Sequence, residues 1–207
     1  MKRLTTIAAA LLAVALTAFG CAHMGGGGPW VTLVDGGKGL ENFDRIGDAN
    51  WRAEGGAIVA DKAKETSHLV TKKSYTNFQI RAEFWAETNT NSGIFIRASD
   101  PRKVGSANAY EVNIYDQRSG QEYATGAIVG FGRIPVPNPP EYKAAGKWNT
   151  FVITAKDTHL VVEFNGIQTV NIYDSKFASG PFTLQFGNHG KQPGGAIKWR
   201  KVQVREL

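Results

Sequence analysis

Asn91-Ser92-Gly93-Ile94-Phe95-Ile96-Arg97 and, after a loop, Tyr110-Glu111-Val112-Asn113-Ile114-Tyr115-Asp116 decide how the chain is read. Both runs alternate with period two, the signature of strands that present different chemistry on their two faces. In the first, Ile94 and Ile96 share one face while Phe95 and Arg97 take the other beside Gly93, which leaves room for close approach to the backbone. In the second, Val112 and Ile114 point one way and Glu111, Asn113 and Tyr115 the other. If the aliphatic faces build a core, the opposite faces align an arginine, a carboxylate, an amide and two aromatic rings. Such a lining can hold a sugar.

The same alternation recurs along the chain. Phe78, Ile80, Ala82 and Phe84 interleave with Gln79, Arg81, Glu83 and Trp85, so a second face carrying Arg81, Glu83 and Trp85 resembles the first in chemistry. Short apolar runs at 31–34, 57–60, 68–71, 125–129, 151–156, 160–164, 167–172, 182–186 and 197–207 are separated by turn signals, with a polar loop expected up to Trp51. Asn165-Gly166 is the strongest of these signals, because both residues tolerate positive φ in a tight hairpin. The run Arg133–Tyr142 holds four prolines in six positions, which excludes an interior strand and predicts a stiff extended loop. A glycine-rich loop is expected over 187–195. Beyond the N-terminal segment no stretch has a helical period, so the fold class is all-β, a two-sheet antiparallel sandwich of jelly-roll type.

The chain has 207 residues, 42% hydrophobic and 20% charged with 24 glycines, which suits one well-buried domain rich in turns. Lys2 and Arg3 followed by the apolar run Leu4–Phe19 read as a secretory signal over residues 1–20. Cys21 stands at the cleavage point and resembles the lipid-attachment cysteine of bacterial lipoproteins, with simple cleavage as the alternative. Residues 21–29, with Gly25 to Gly28, read as a tether, and 30–207 as the domain. The protein is thus expected to be exported, either periplasmic or anchored to the outer membrane by an N-terminal lipid. One cysteine excludes an intrachain disulfide. Without Lys2 and Arg3 the formal charge of +6 falls to +4, and the remaining basic residues alternate with acids, so no nucleic-acid partner is expected.

The strand Glu111–Tyr115 resembles the catalytic strand of laminarinase-like glycosidases only at Glu111, since Asn113 and Tyr115 stand where those enzymes have acids. Two carboxyl groups across the scissile bond are needed for ordinary glycoside hydrolysis. Glu83 on another strand is the remaining candidate for a second.

Seven ordered motifs carry a fuller resemblance. They are Asp35-Gly36 with Trp51, Asn91–Arg97, Tyr110–Asp116, Thr125–Ile128, Gly146-Lys147-Trp148-Asn149-Thr150, Asn165-Gly166, and Leu184-Gln185 with Trp199-Arg200-Lys201-Val202. Over roughly residues 30–207 the chain is similar to the 3-keto-disaccharide hydrolase domain family, which has a concanavalin A-like fold. The resemblance implies cleavage of the glycosidic bond in sugars carrying a ketone at C3, by hydrolysis or by elimination followed by hydration. The ketone acidifies the C2 proton, so one base and one stabiliser of the enolate suffice. On this reading Glu111 is the base and Arg97 or a bound metal the stabiliser. Arg81, Glu83, Trp85, Phe95, Asn113, Tyr115, Gln185 and His189 are the candidate substrate contacts. No cofactor is certain; a divalent metal held by Glu111, Asp116 and His189 stays open. So does a second reading, a non-catalytic carbohydrate-binding module on the same sandwich. The partner expected in either case is a carbohydrate, with the membrane reached only through the lipid, and the oligomeric state is left undetermined.

Overall fold

The computed structural model describes residues 27–187 and 195–207. The secretory signal, Cys21 and His189 lie outside the described residues. Gly28, within the expected tether, donates its backbone N–H to the Glu206 carbonyl at 2.7 Å, so the chain is already docked from there.

Thirteen strands are described: β1 (Val31–Asp35), β2 (Phe43–Ile46), β3 (Arg52–Glu54), β4 (Ala57–Ala60), β5 (Ser67–Thr71), β6 (Phe78–Ala86), β7 (Ser92–Ile96), β8 (Tyr110–Ile114), β9 (Trp148–Lys156), β10 (His159–Phe164), β11 (Ile167–Tyr173), β12 (Thr183–Phe186) and β13 (Ile197–Glu206). They form two sheets. The larger runs β11-β10-β9-β6-β13-β4-β3, with β1 also paired to β13, and the smaller runs β2-β5-β12-β7-β8. All strand pairs are antiparallel, and the only helical turns among the described residues are short 3-10 segments. The expected all-β sandwich is therefore the observed fold.

The core lies between the sheets. The larger sheet contributes Phe78, Ile80, Ala82 and Phe84 of β6, Phe151 and Ile153 of β9, Phe164 of β10 and Trp199 of β13. Phe84 sits at the centre of this cluster, 5.0 Å from Phe151, 6.2 Å from Phe164 and 5.7 Å from Trp199 between ring centroids. The smaller sheet answers with Leu69, Ile94, Ile96, Tyr110, Val112, Ile114, Leu184 and Phe186. In β13, Trp199, Val202 and Val204 all point inward although a strict period of two would turn Val202 and Val204 out. A register shift against β6 between Trp199 and Lys201 inserts Arg200 as an extra residue and restores the phase.

The structure departs from expectation in two places. The segment up to Trp51, read as loop, contains β2, whose four residues are too few for the alternation to stand out. Thr125–Val129, read as a strand, is instead a hydrogen-bonded run of turns along the outer edge of β8. Gly126 N–H donates to the Asn113 carbonyl at 3.0 Å and Val129 N–H to the Glu111 carbonyl at 3.0 Å, but Gly132 N–H closes back on the Ile128 carbonyl at 2.8 Å and ends the pairing. The turns thus fix the backbone of Glu111 and Asn113 from the far side.

Candidate functional site

Because Leu69, Ile94, Val112 and Leu184 face the core, the alternate residues of the smaller sheet share its opposite face. Register then fixes their order. Val70 pairs with Thr183, Thr183 with Phe95 and Phe95 with Glu111, which makes one row across β5, β12, β7 and β8. In the next row His68 pairs with Gln185, and Gly93 with Asn113. Glu111 and Asn113 on β8, Gln185 on β12 and His68 on β5 thus share one face of the sheet.

Each of these polar groups is buried: His68 is 2% exposed, Asn113 0%, Gln185 7% and Glu111 9%. Buried polar atoms are ordinarily paired, so unpaired ones gathered on one face are candidates for contact with a ligand. Among the described residues three such atoms, His68 Nε2, Gln185 Oε1 and Asn113 Oδ1, lie on this face without a partner. Two of these residues are held at their other end. His68 Nδ1 shares a 3.0 Å hydrogen bond with Thr183 Oγ1, and Asn113 Nδ2 donates to the Tyr123 carbonyl at 2.6 Å. Among the described residues no donor bonds the Glu111 carboxylate. Burial pushes its carboxyl up to about 7, with the charge of Arg118 acting in the opposite direction as the smaller effect. Burial also drives the His68 imidazole down to about 4, so the ring is neutral at ordinary pH.

Gly93 leaves the row His68–Gln185–Gly93–Asn113 without a side chain at its third position. A Cβ there would come within 2.9 Å of the Val112 carbonyl and 3.6 Å of Glu111 Cγ. A side chain at this position would therefore crowd Glu111, and the row depends on glycine. Phe95 floors the neighbouring row, packed with Ala98 and Ala109 and met edge-on by His68 at 5.2 Å.

Several expected site residues are elsewhere. Arg97, 1% exposed, does not turn towards Glu111. Its backbone takes φ 56°, which breaks the alternation of β7, and its guanidinium donates to the carbonyls of Thr76 at 2.6 and 3.0 Å, Asp157 at 2.8 Å and Phe177 at 3.3 Å. Thr76 precedes β6 and Asp157 joins β9 to β10, so Arg97 ties the edge of one sheet to the other. Arg81, Glu83 and Trp85 lie on the outer face of the larger sheet, with the core between them and Glu111. There Arg81 lies over the Trp30 ring at 5.0 Å, Glu83 accepts from Arg200 at 2.6 Å, and Lys198 caps Trp85 at 4.4 Å. Glu83 consequently offers no second acid to the Glu111 face. The likeness of the two faces was one of composition, and the sandwich separates them.

Tyr115 lies just past β8, half-buried, at the end of the Glu111 face. Asp116 accepts from Thr125 Oγ1 at 2.6 Å and from the N–H groups of Ala144 at 2.9 Å and Ala145 at 3.0 Å, so it braces the loop and its oxygens are spent on the chain itself. Among the described residues no group of three or more His, Cys, Asp or Glu is arranged to hold a metal ion. His68 is not singled out by the sequence because it sits in a short strand after a charged link. The signal was its position opposite Leu69 in the alternation.

The architecture is shared with proteins of known structure. A candidate glycosyl hydrolase from Parabacteroides distasonis ATCC 8503 superposes with a TM-score of 0.68 at 24% identity, covering 87% of this chain and 100% of that one. A second from the same organism gives 0.66 at 17%, covering 83% and 91%. The carbohydrate-binding module CBM66 from Bacillus subtilis gives 0.57 at 13%, covering 86% and 95%. At these identities the likeness establishes the sandwich fold. A search of curated proteins finds no match. The profile of the 3-keto-alpha-glucoside-1,2-lyase-like domain matches residues 29–205, nearly the whole described domain, and the chain belongs to that family.

Proposed function

We propose that this protein cleaves the glycosidic bond of 3-keto-glycosides by elimination at C1–C2 followed by hydration, with Glu111 as the base. The observation that carries the reading is that Glu111 is buried, raised to about 7 and without a donor among the described residues, on a face where three other buried polar atoms also lack partners there. A base titrating near neutrality combines a usable ionised fraction with driving force for proton transfer. It takes the C2 proton, and the C2–H electron pair forms the enolate with the C3 carbonyl. When the carbonyl re-forms, the pair makes the C1–C2 double bond and the C1–O bond breaks. The departing oxygen takes a proton, and water then adds at C1 as a proton returns to C2.

One carboxylate suffices for this sequence, in keeping with the separation of Glu83 from Glu111. Developing charge on the C3 oxygen calls for preorganised donors. His68 fills the part first given to Arg97. When the Thr183 hydroxyl donates to Nδ1, the neutral His68 ring carries its proton on the unpartnered Nε2, ready to donate. Gln185, on the strand between His68 and Gly93, has its acceptor Oε1 unpartnered and is suited to take a hydrogen bond from a sugar hydroxyl. Asn113 Oδ1 is suited to accept from a sugar hydroxyl.

Export, with anchoring through Cys21 by a lipid, remains part of the proposal on the strength of the N-terminal sequence. The test of the function is to incubate the purified mature chain with a 3-keto-disaccharide and follow release of the monosaccharides. Turnover supports the enzyme; saturable binding without release supports a carbohydrate-binding module and overturns the catalytic reading.

A further inference from the structure

The row of the sheet that carries the unpartnered atoms does not end at His68. Its register partner on the edge strand β2 is Ile46, and Asp44 likewise pairs with Val70. Asp44, Ile46 and Val70, together with Arg45, Lys72 and Arg102, line a cavity of about 410 Å³ on the same face. That volume lies within the usual range for small-molecule sites. Between the β5 and β2 lining of this cavity and Glu111 on β8 lie β12 and β7, and at about 4.8 Å per strand the span is roughly 14–19 Å.

The lining is unevenly charged. Arg45, Lys72 and Arg102 bring three cations against the one carboxylate of Asp44. Arg102 is held only loosely by Asp100, at 3.6 Å with its own side chain 91% exposed. Among the described residues neither Arg45 nor Lys72 has an acidic partner. Cations that the fold leaves unpaired around a cavity favour an anion there.

We propose that this cavity is a distal subsite for the non-reacting end of the substrate, and that this end carries an acidic group, a uronate carboxylate or a phosphomonoester. The proposal rests on the reading of Glu111 as the reacting end. The span then corresponds to roughly three sugar rings laid across the strands. A neutral disaccharide held at Glu111 would leave the cavity empty, so the acidic end adds affinity and hardly alters the chemical step.

Binding and turnover together test it. Three matched trisaccharides, ending in a neutral sugar, a uronic acid and a phosphorylated sugar, are titrated calorimetrically into the full chain and into a Lys72→Glu/Arg102→Glu double variant. Both positions are exposed, so the fold is expected to survive, and circular dichroism checks it. The proposal requires at least one acidic ligand to bind about fivefold or more tighter than the neutral one, and this preference to vanish in the variant and fade with added salt. The ligand that gains identifies carboxylate or phosphate as the source. Equal binding of all three, or a preference that survives the charge reversal, overturns it. If the acidic preference is present and lost in the variant while 3-keto-glycosides are not turned over, the catalytic reading of Glu111 fails and the subsite stands. If turnover occurs with no acidic preference, the subsite alone fails.

Discussion

The His68 ring meets Phe95 edge-on, with centroids 5.2 Å apart and planes at 82°, and Phe95 is in turn the register partner of Glu111. One phenyl ring therefore separates a neutral imidazole from a protonatable carboxylate on the same face of the sheet. The sandwich offers its solvent-side polar groups an environment nearly as dry as its core, and their chemistry follows from that.

Opposed titrations are the first consequence. Glu111 titrates at about 7 in the fold against 4.5 when free, so its contribution to stability is full below about pH 4.5 and is lost as pH rises through 7. His68 titrates at about 4 against 6.5, so its contribution is full above about 6.5 and is lost as pH falls through 4. Between about pH 4.5 and 6.5 the two slopes, each near 1.4 kcal/mol per pH unit, largely cancel. Urea unfolding of the parent should therefore be nearly flat across that window, whereas Glu111→Gln should gain stability with rising pH and be more stable than the parent by about 3 kcal/mol above pH 7.5. Equal slopes in parent and variant would contradict the assignment.

The rate should follow the same carboxylate. Only ionised Glu111 accepts the C2 proton, so kcat/KM on a 3-keto-glycoside should climb with pH and level off with an apparent midpoint near 7. A profile flat from pH 5 to 8 would remove Glu111 from the proton transfer.

For His68 the expectation separates donor from packing. His68→Phe keeps a ring against Phe95 but deletes Nε2, and kcat should fall by about 10²-fold with stability little changed. His68→Gln should recover part of the rate. Loss of KM alone, with kcat retained, would make His68 a binding residue.

Arg97 makes the opposite pattern. Removing a guanidinium that serves the carbonyls of Thr76, Asp157 and Phe177 leaves buried acceptors unsatisfied, so Arg97→Met should cost about 2–5 kcal/mol in urea unfolding. Well below its melting temperature the variant should keep a parental kcat. A collapse of kcat in a stable Arg97→Met protein would return Arg97 to the site.

Gly93 leaves its place in the Glu111 face without a side chain. Gly93→Ala places a methyl 2.9 Å from the Val112 carbonyl and beside Glu111 Cγ, so it should lower stability by about 1–3 kcal/mol and raise KM more than it lowers kcat. Unchanged KM would mean that the substrate does not pass over this row.

Much of this was legible in the sequence because alternation is a local property. Ile94 and Ile96, and Val112 and Ile114, reveal their shared faces without any knowledge of the neighbours, and Glu111, Asn113 and Gln185 were identifiable by the same rule. What alternation leaves open is which sheet a strand joins. Arg81, Glu83 and Trp85 have the same periodicity and similar chemistry, yet pairing of β6 with β9 and β13 places them across the core from Glu111. Arg97 was misplaced for a different reason: a backbone at φ 56° ends the alternation one residue early, and nothing in Ile96-Arg97-Ala98 announces it. His68 was hidden by brevity, since in this five-residue strand after a charged link only Leu69 stands beside it as an apolar residue to read against.

The most direct test of the central claim is exchange at C2. The parent and Glu111→Gln are incubated in D2O with a 3-keto-glucoside, and proton loss at C2 is followed by NMR alongside release of the leaving group. Deuterium at C2 of the released 3-keto sugar from the parent, with exchange and release both falling by 10²-fold or more in Glu111→Gln, is the predicted result. Release from Glu111→Gln at the parental rate, or release from the parent with the original C2 proton fully retained, would contradict it.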